Sequence, residues 1–158
     1  MSSENMKHNG RDPEGLVRQF HEVYSMPISQ EKPEVDIERV HLRMSLIAEE
    51  FAELVGSIYG REARATIEEA FALAVAKDTK DRDTVEAADA LGDLIYVIYG
   101  AALEFGIPLS KVLTEIQASN LSKLGADGQP IYREDGKVLK GPDFFPPNIK
   151  RVLFGGTE

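Results

Sequence analysis

The chain has 158 residues, a formal net charge of −9 and no cysteine. Its length suits one domain with a sizeable core. The acidity argues against a nucleic-acid binder, which would carry a basic footprint, and the missing cysteines exclude disulfides and thiolate metal sites.

Residues 1–12 read as a disordered tail and 13–158 as a single domain, with a C-terminal arm from about 126 to 158. The tail lacks an apolar core for a secretory signal. The longest strongly apolar stretch, Leu94 to Leu103, is too short to span a bilayer. No membrane partner is therefore expected, and the cytoplasm is the expected location. Pro13 to Tyr24 reads as a first helix, capped by Asp12 with Pro13 at its first position. Met26 to Val35 is a loop, and Asp36 is the expected cap of a long second helix from about Ile37 to Tyr59. Gly60 marks a stop or kink. Arg61 to Lys77 reads as an extra, shorter helix, and Asp78 to Asp83 as a charged loop. Thr84 is the expected cap of a third main helix that Gly106 and Pro108 end after Phe105. The fourth runs from about Leu109 to Leu124. Ile131 to Leu139 reads as a small hairpin turning at Asp135-Gly136, and prolines 142, 146 and 147 imply an irregular arm beyond it. The fold class is all-α: a four-helix-bundle-like arrangement with one extra short helix and a small C-terminal hairpin and arm.

The chemistry concentrates on two helices. Glu49, Glu50 and Glu53 lie beside an apolar face made by Ile47, Phe51, Leu54, Val55 and Ile58. At about 100° per residue, Glu50 and Glu53 stand roughly 60° apart, and Glu49 and Glu53 roughly 40°. Like charges so spaced cost about 0.2–0.5 kcal/mol per pair. A hard divalent cation between them would reverse that cost, and Mg2+ takes oxygen ligands. Glu86, Asp89 and Asp93 share one face of the third main helix, which is apolar on nearly every other side. Such a helix is expected to be central and buried, where unpaired acids are costly. The two acidic faces can meet and share metal ions; the alternative is two solvated faces. A di-iron plan needs two Glu-x-x-His motifs, and only Glu38-x-x-His41 occurs, two to three turns before Glu49. Oxygen-only ligands suit Mg2+, with Mn2+ as a substitute, and such ions serve phosphoryl chemistry. Asn120, Ser122 and Lys123 offer an amide, a hydroxyl and an ammonium. Arg133, Lys137 and Lys140 add cations from the hairpin. Singly these are surface polar residues; together they read as a phosphate clamp.

These motifs resemble the MazG-like, all-α nucleoside triphosphate pyrophosphohydrolases, whose signature is E-E-x-x-E followed by E-x-x-D. Here those are Glu49-Glu50-Phe51-Ala52-Glu53 and Glu86-Ala87-Ala88-Asp89. The extended stretches Glu86 to Tyr96 and Ser119 to Arg133 resemble the branch holding dimeric dUTPase-like and phosphoribosyl-ATP pyrophosphohydrolase-like proteins. The likeness runs from about Val17 to Pro147. One departure is the gap of 32 residues between Glu53 and Glu86, longer than usual, which the extra helix accounts for. The resemblance implies that Glu50, Glu53, Glu86 and Asp89 are magnesium ligands. It makes Glu49 a further ligand or the group orienting the attacking water. Asn120 and Lys123 then hold substrate from a neighbouring subunit, in a homodimer or a tetramer. Asp93 and Tyr96 are placed for sugar or base contacts, with core packing the alternative for Tyr96. Phe20 or Tyr24 stacking on the base is a weaker expectation than packing. The implied activity is Mg2+-dependent hydrolysis of a nucleoside triphosphate, dUTP first, to the monophosphate and pyrophosphate. Alternatives are dCTP or broad dNTP hydrolysis, phosphoribosyl-ATP hydrolysis, and a non-enzymatic metal-binding helical bundle.

Overall fold

The computed structural model describes residues 12–156; the expected tail, apart from Asp12, lies outside them. In chain order the helices are α1 (Pro13–Val23), α2 (Val40–Tyr59), α3 (Arg61–Ala76), α4 (Thr84–Phe105), α5 (Leu109–Leu121) and α6 (Ile149–Phe154). No strand occurs among the described residues, so the chain is all-α, as its apolar spacing predicts. Two compact units emerge: the chain up to Gln30 together with Gly92 onward, and Glu31–Leu91.

In the first unit, α1 starts where local chemistry says it should. Asp12 Oδ1 accepts from the Gly15 amide at 3.0 Å, and Pro13 occupies the first turn. α1 packs on α5, and α5 on α6. Buried Gln117 joins the first pair, its Nε2 donating to Leu16 O and to Gln19 Oε1, both at 2.9 Å. α5 ends at Leu121, so Ser122 and Lys123 lie beyond the helix rather than in it. The hairpin is reduced to one antiparallel bridge, Tyr132 with Val138. Its turn is not the two-residue Asp-Gly type. Arg133 N donates to Lys137 O at 2.8 Å, enclosing three residues, and Gly136 takes φ +86°, the left-handed position of a three-residue loop. The arm is less irregular than its prolines imply. Past Pro147, the Asn148 side chain accepts from Arg151 N at 3.0 Å and starts α6.

In the second unit, α2 and α3 form a tight helical hairpin. Gly60, at φ +98°, reverses the chain within one residue. A methyl group at Gly56 would stand 2.9 Å from Arg64 Cβ, so glycine permits the helices' close approach. Two expected caps turn out otherwise. Asp36 does not cap α2, which begins at Val40 behind an Arg39 without a side-chain cap bond. Asp36 instead faces Arg82 at 3.6 Å, and Asp78 grips the same guanidinium at 2.8 and 3.0 Å. At α4, Asp83 Oδ1 accepts from Glu86 N at 3.0 Å, while the Thr84 hydroxyl accepts from Val35 N at 3.3 Å.

The largest departure concerns α4. Its sequence predicts a central, buried helix, yet Ala102 is its one buried residue. Beyond marginal contact, the described helices that pack together are α1 with α5, α5 with α6, and α2 with α3. α4 belongs to none of these pairs, so its apolar surface stays open. No single described helix is long and apolar enough to cross a membrane. α4 and α5 pass that test only as a pair, bent by 112°.

Candidate active site

Glu49, Glu50 and Glu53 occupy just over one turn in the middle of α2, all exposed. The positive neighbour that the charge argument demands is partly supplied by the chain itself. Arg64 Nη2 stands 3.5 Å from Glu53 Oε1, and Arg64 Nε donates to Glu68 at 2.8 Å. The bond to Glu68 holds the Arg64 guanidinium above its ordinary range, and the charges of Glu53 and Glu49 add to that. Sequence reasoning missed Arg64. Its signal was a base on the short helix directly following the acidic one, with small Gly56 opposite it. Such an exposed pair contributes little to stability, but it sets the local field around the acids.

Glu86 and Asp89 lie in the first two turns of α4, both exposed, with Asp93 exposed one turn later and Tyr96 81 % exposed. Among the described residues no three of His, Asp and Glu stand together as a metal-binding group. The donor chemistry still suits a hard divalent cation, because every candidate ligand is a carboxylate oxygen.

The end of α5 is built differently. The Tyr24 side chain is fully buried, and its hydroxyl donates to Asn120 O at 2.7 Å. Burial raises the Tyr24 phenol above its usual range, and the Lys123 backbone amide pulls partly the other way. The Tyr132 hydroxyl donates to Tyr24 O. Ser119 Oγ donates to Phe145 O at 2.8 Å, and Ser122 Oγ donates to Ser119 O at 2.6 Å while accepting from Phe145 N at 3.1 Å. Gly141 N donates to Lys123 O at 2.9 Å, and a Cβ on Gly141 would fall 1.8 Å from Leu124 O. The two serines therefore fasten the arm to the helix end. The expected clamp hydroxyl of Ser122 is engaged in this structural task, while Asn120 and Lys123 sit on the backbone it fixes. Arg133 forms a fork with Asp135 at 2.9 and 2.5 Å, which holds the Asp135 carboxyl down to about 2. Lys140 lies over the Phe144 ring at 4.7 Å. Phe20 packs on Tyr24 with ring centroids 4.5 Å apart, and the His21 ring meets Pro27 O at 2.9 Å.

Comparison with known proteins bears on this geometry. The sequence pattern of the phosphoribosyl-ATP pyrophosphohydrolase family matches residues 17–120, a span holding both acidic motifs and ending at Asn120. A crystal structure from Exiguobacterium sp. 255-15, named as a candidate NTP pyrophosphohydrolase, superposes with a TM-score of 0.66. It is 29 % identical, and the likeness covers 88 % of this chain and 90 % of that one. No curated protein matches the chain. The family match spans well over half the sequence, and the chain belongs to the phosphoribosyl-ATP pyrophosphohydrolase family of MazG-like all-α proteins and is a pyrophosphohydrolase.

Proposed function

We propose that the chain hydrolyses the bond between the α and β phosphates of a nucleoside triphosphate in an Mg2+-dependent reaction, with dUTP the first substrate to test. The observation that carries this reading is the pairing of Glu49-Glu50-Phe51-Ala52-Glu53 on α2 with Glu86-Ala87-Ala88-Asp89 on α4, oxygen donors throughout. Glu50, Glu53, Glu86 and Asp89 would hold Mg2+, or Mn2+ in its place, which when bound polarises phosphate oxygens and makes a bound water nucleophilic at neutral pH. Glu49 or Glu50 takes a proton from the attacking water. Water oxygen bonds to the α-phosphorus, the bond to the bridging oxygen breaks, and pyrophosphate leaves. Lys123 faces the charge that develops on the leaving group, where fixed cations act most strongly, and Asn120 orients the substrate. Asp93 and Tyr96, on the same helix as Glu86 and Asp89, are assigned to sugar or base. The working assembly in this reading is a homodimer, and the absence of cysteine suits a reducing cytoplasm.

A second reading follows from the family match itself: phosphoribosyl-ATP as substrate, with the same bond broken. The two are separated by a panel of dUTP, dCTP, the remaining nucleoside triphosphates and phosphoribosyl-ATP, assayed with Mg2+ by pyrophosphate release. A clear preference for dUTP is expected. Turnover of phosphoribosyl-ATP alone would replace the first reading with the second, and silence across the panel would defeat both.

A further inference from the structure

Of the described helices, α3 is the one that packs on α2 beyond marginal contact. The apolar stripe of α2 otherwise stays open, with Ile47, Phe51, Leu54 and Ile58 each between 39 % and 53 % exposed. A fixed cation beside the α2 acids therefore comes first from α3. That helix carries two bases, Arg61 and Arg64, and the fold brings the second to the acids. Gly60 reverses the chain, and α3 comes so near that a methyl group at Gly56 would stand 2.9 Å from Arg64 Cβ. The guanidinium is shared unequally. Its Nε donates to Glu68 at 2.8 Å, whereas Nη2 reaches Glu53 only at 3.5 Å. Glu68 sits one turn beyond Arg64 on α3. With Glu49, Ser45, Ala48 and Phe71 it also lines a hollow of about 170 Å³ between α2 and α3. Arg64, Glu53 and Glu68 are all about half exposed, and exposed ion pairs add little to stability. Stability is therefore a poor reason for this arrangement. Its larger effect is on the charge that an incoming cation meets at Glu53.

We propose that Arg64 is the cation that occupies Glu53 until a divalent ion arrives, and that Glu68 holds Arg64 back from closing on it. This rests on the reading of Glu53 as a metal ligand given above. Without a divalent ion, Arg64 offsets part of the like-charge repulsion among the α2 acids. When Glu53 turns to a metal it gives up a 3.5 Å contact, while Arg64 keeps its 2.8 Å bond to Glu68. Two cations thus compete for one carboxylate, and Glu68 sets how hard the internal one competes. Arg64 and Glu68 are positioning residues, since both act through Glu53. Two independent charges would shift metal affinity with the same signs, so the coupling between the two residues is the quantity that separates the cases.

The test reads metal binding rather than turnover. MnCl2 and, separately, MgCl2 are titrated calorimetrically into the nucleotide-free full chain. Arg64→Gln is expected to lower the metal dissociation constant about fivefold, the scale of one unit charge about 4 Å away in water. Glu68→Gln is expected to raise it by a similar factor, because Arg64 then closes on Glu53. In the double variant the effect of Glu68→Gln is expected to vanish, since no guanidinium is left to hold. Both positions are exposed, so the circular-dichroism helix signal should not change. Affinity that Arg64→Gln leaves unchanged or weakens overturns the proposal. So does a Glu68→Gln effect that persists at full size in the double variant. Glu50→Gln and Glu53→Gln separate this outcome from failure of the metal reading. Binding that is lost in those variants but indifferent to Arg64→Gln ends only the role of Arg64. Binding that survives both of them, or a wild type that binds neither ion, ends the metal reading and the proposal together.

Discussion

At the end of α5, Tyr24, Ser119, Ser122 and Gly141 tie the backbone of Asn120 and Lys123 to the arm and to α1 by hydrogen bonds within one unit. Along α4, by contrast, nine large apolar side chains stay exposed, and among the described helices α4 packs on none beyond marginal contact. The polar region is finished within one chain, and the apolar one is not. The difference follows from the forces involved. Hydrogen bonds between a helix end and a following arm are satisfied locally, whereas apolar burial needs area on two surfaces. The acids proposed to hold metal lie on the two helices with uncovered apolar stripes. Their final geometry therefore depends on what covers those stripes.

The sharpest way to break this comparison is to remove the acids. Glu50→Gln or Asp89→Asn should lower pyrophosphate release by about 100-fold or more, the scale of losing one charge-stabilising group. As exposed substitutions they should change stability by no more than about 0.5 kcal/mol, checked by chemical denaturation. Mixing the two inactive variants adds a second outcome. If a site takes its α2 acids from one chain and its α4 acids from another, the two variants complement each other. A mixed dimer then has one intact site, and co-refolded variants should recover about a quarter of wild-type activity by random pairing. No recovery would put the acids of each site back on one chain.

How much of this was legible follows from how local each determinant is. Asp12 and Pro13 start α1 as their spacing predicts, because the cap and its amide lie three residues apart. Asp36 and Thr84 have equally good capping chemistry, yet each is recruited by a distant partner, Arg82 or Val35. A sequence window does not hold such partners. The acidic motifs were readable by pattern, but Arg64 was not, because its contact with Glu53 depends on the reversal at Gly60. The apolar character of α4 was plain, and the inference from it was incomplete. Periodicity reports that a face wants cover, not which chain supplies it.

Gly141→Ala tests the finished region. Its Cβ would meet Leu124 O, a backbone atom with little room to move, so the arm must shift. A cost of about 1–3 kcal/mol is expected from overpacking. If the arm fixes Asn120 and Lys123 for substrate, KM should rise as well, measured at a temperature where the variant remains folded. A stability loss with unchanged KM would reduce the arm to a structural strap. Tyr24→Phe is gentler. It removes the donor to Asn120 O and keeps the ring packed on Phe20, so a loss of about 1 kcal/mol is expected, read by urea denaturation.

The smallest effect concerns the second unit and depends on pH. The hydrogen bonds from Arg82 to Asp78, with help from the Lys80 amide, hold the Asp78 carboxyl well below its ordinary value of 3.8. A carboxyl depressed in the folded state stabilises it above the unfolded pKa and loses that contribution as pH falls through the folded value. The Asp78–Arg82 contact should therefore be fully effective at neutral pH and begin to fail only below about pH 4. Asp78→Asn should lower Tm most at pH 7 and by progressively less as pH falls below about 4. The two melting curves should converge as pH falls. Curves that stay parallel from pH 7 to pH 3 would mean that the Asp78 charge is not what secures the loop between α3 and α4.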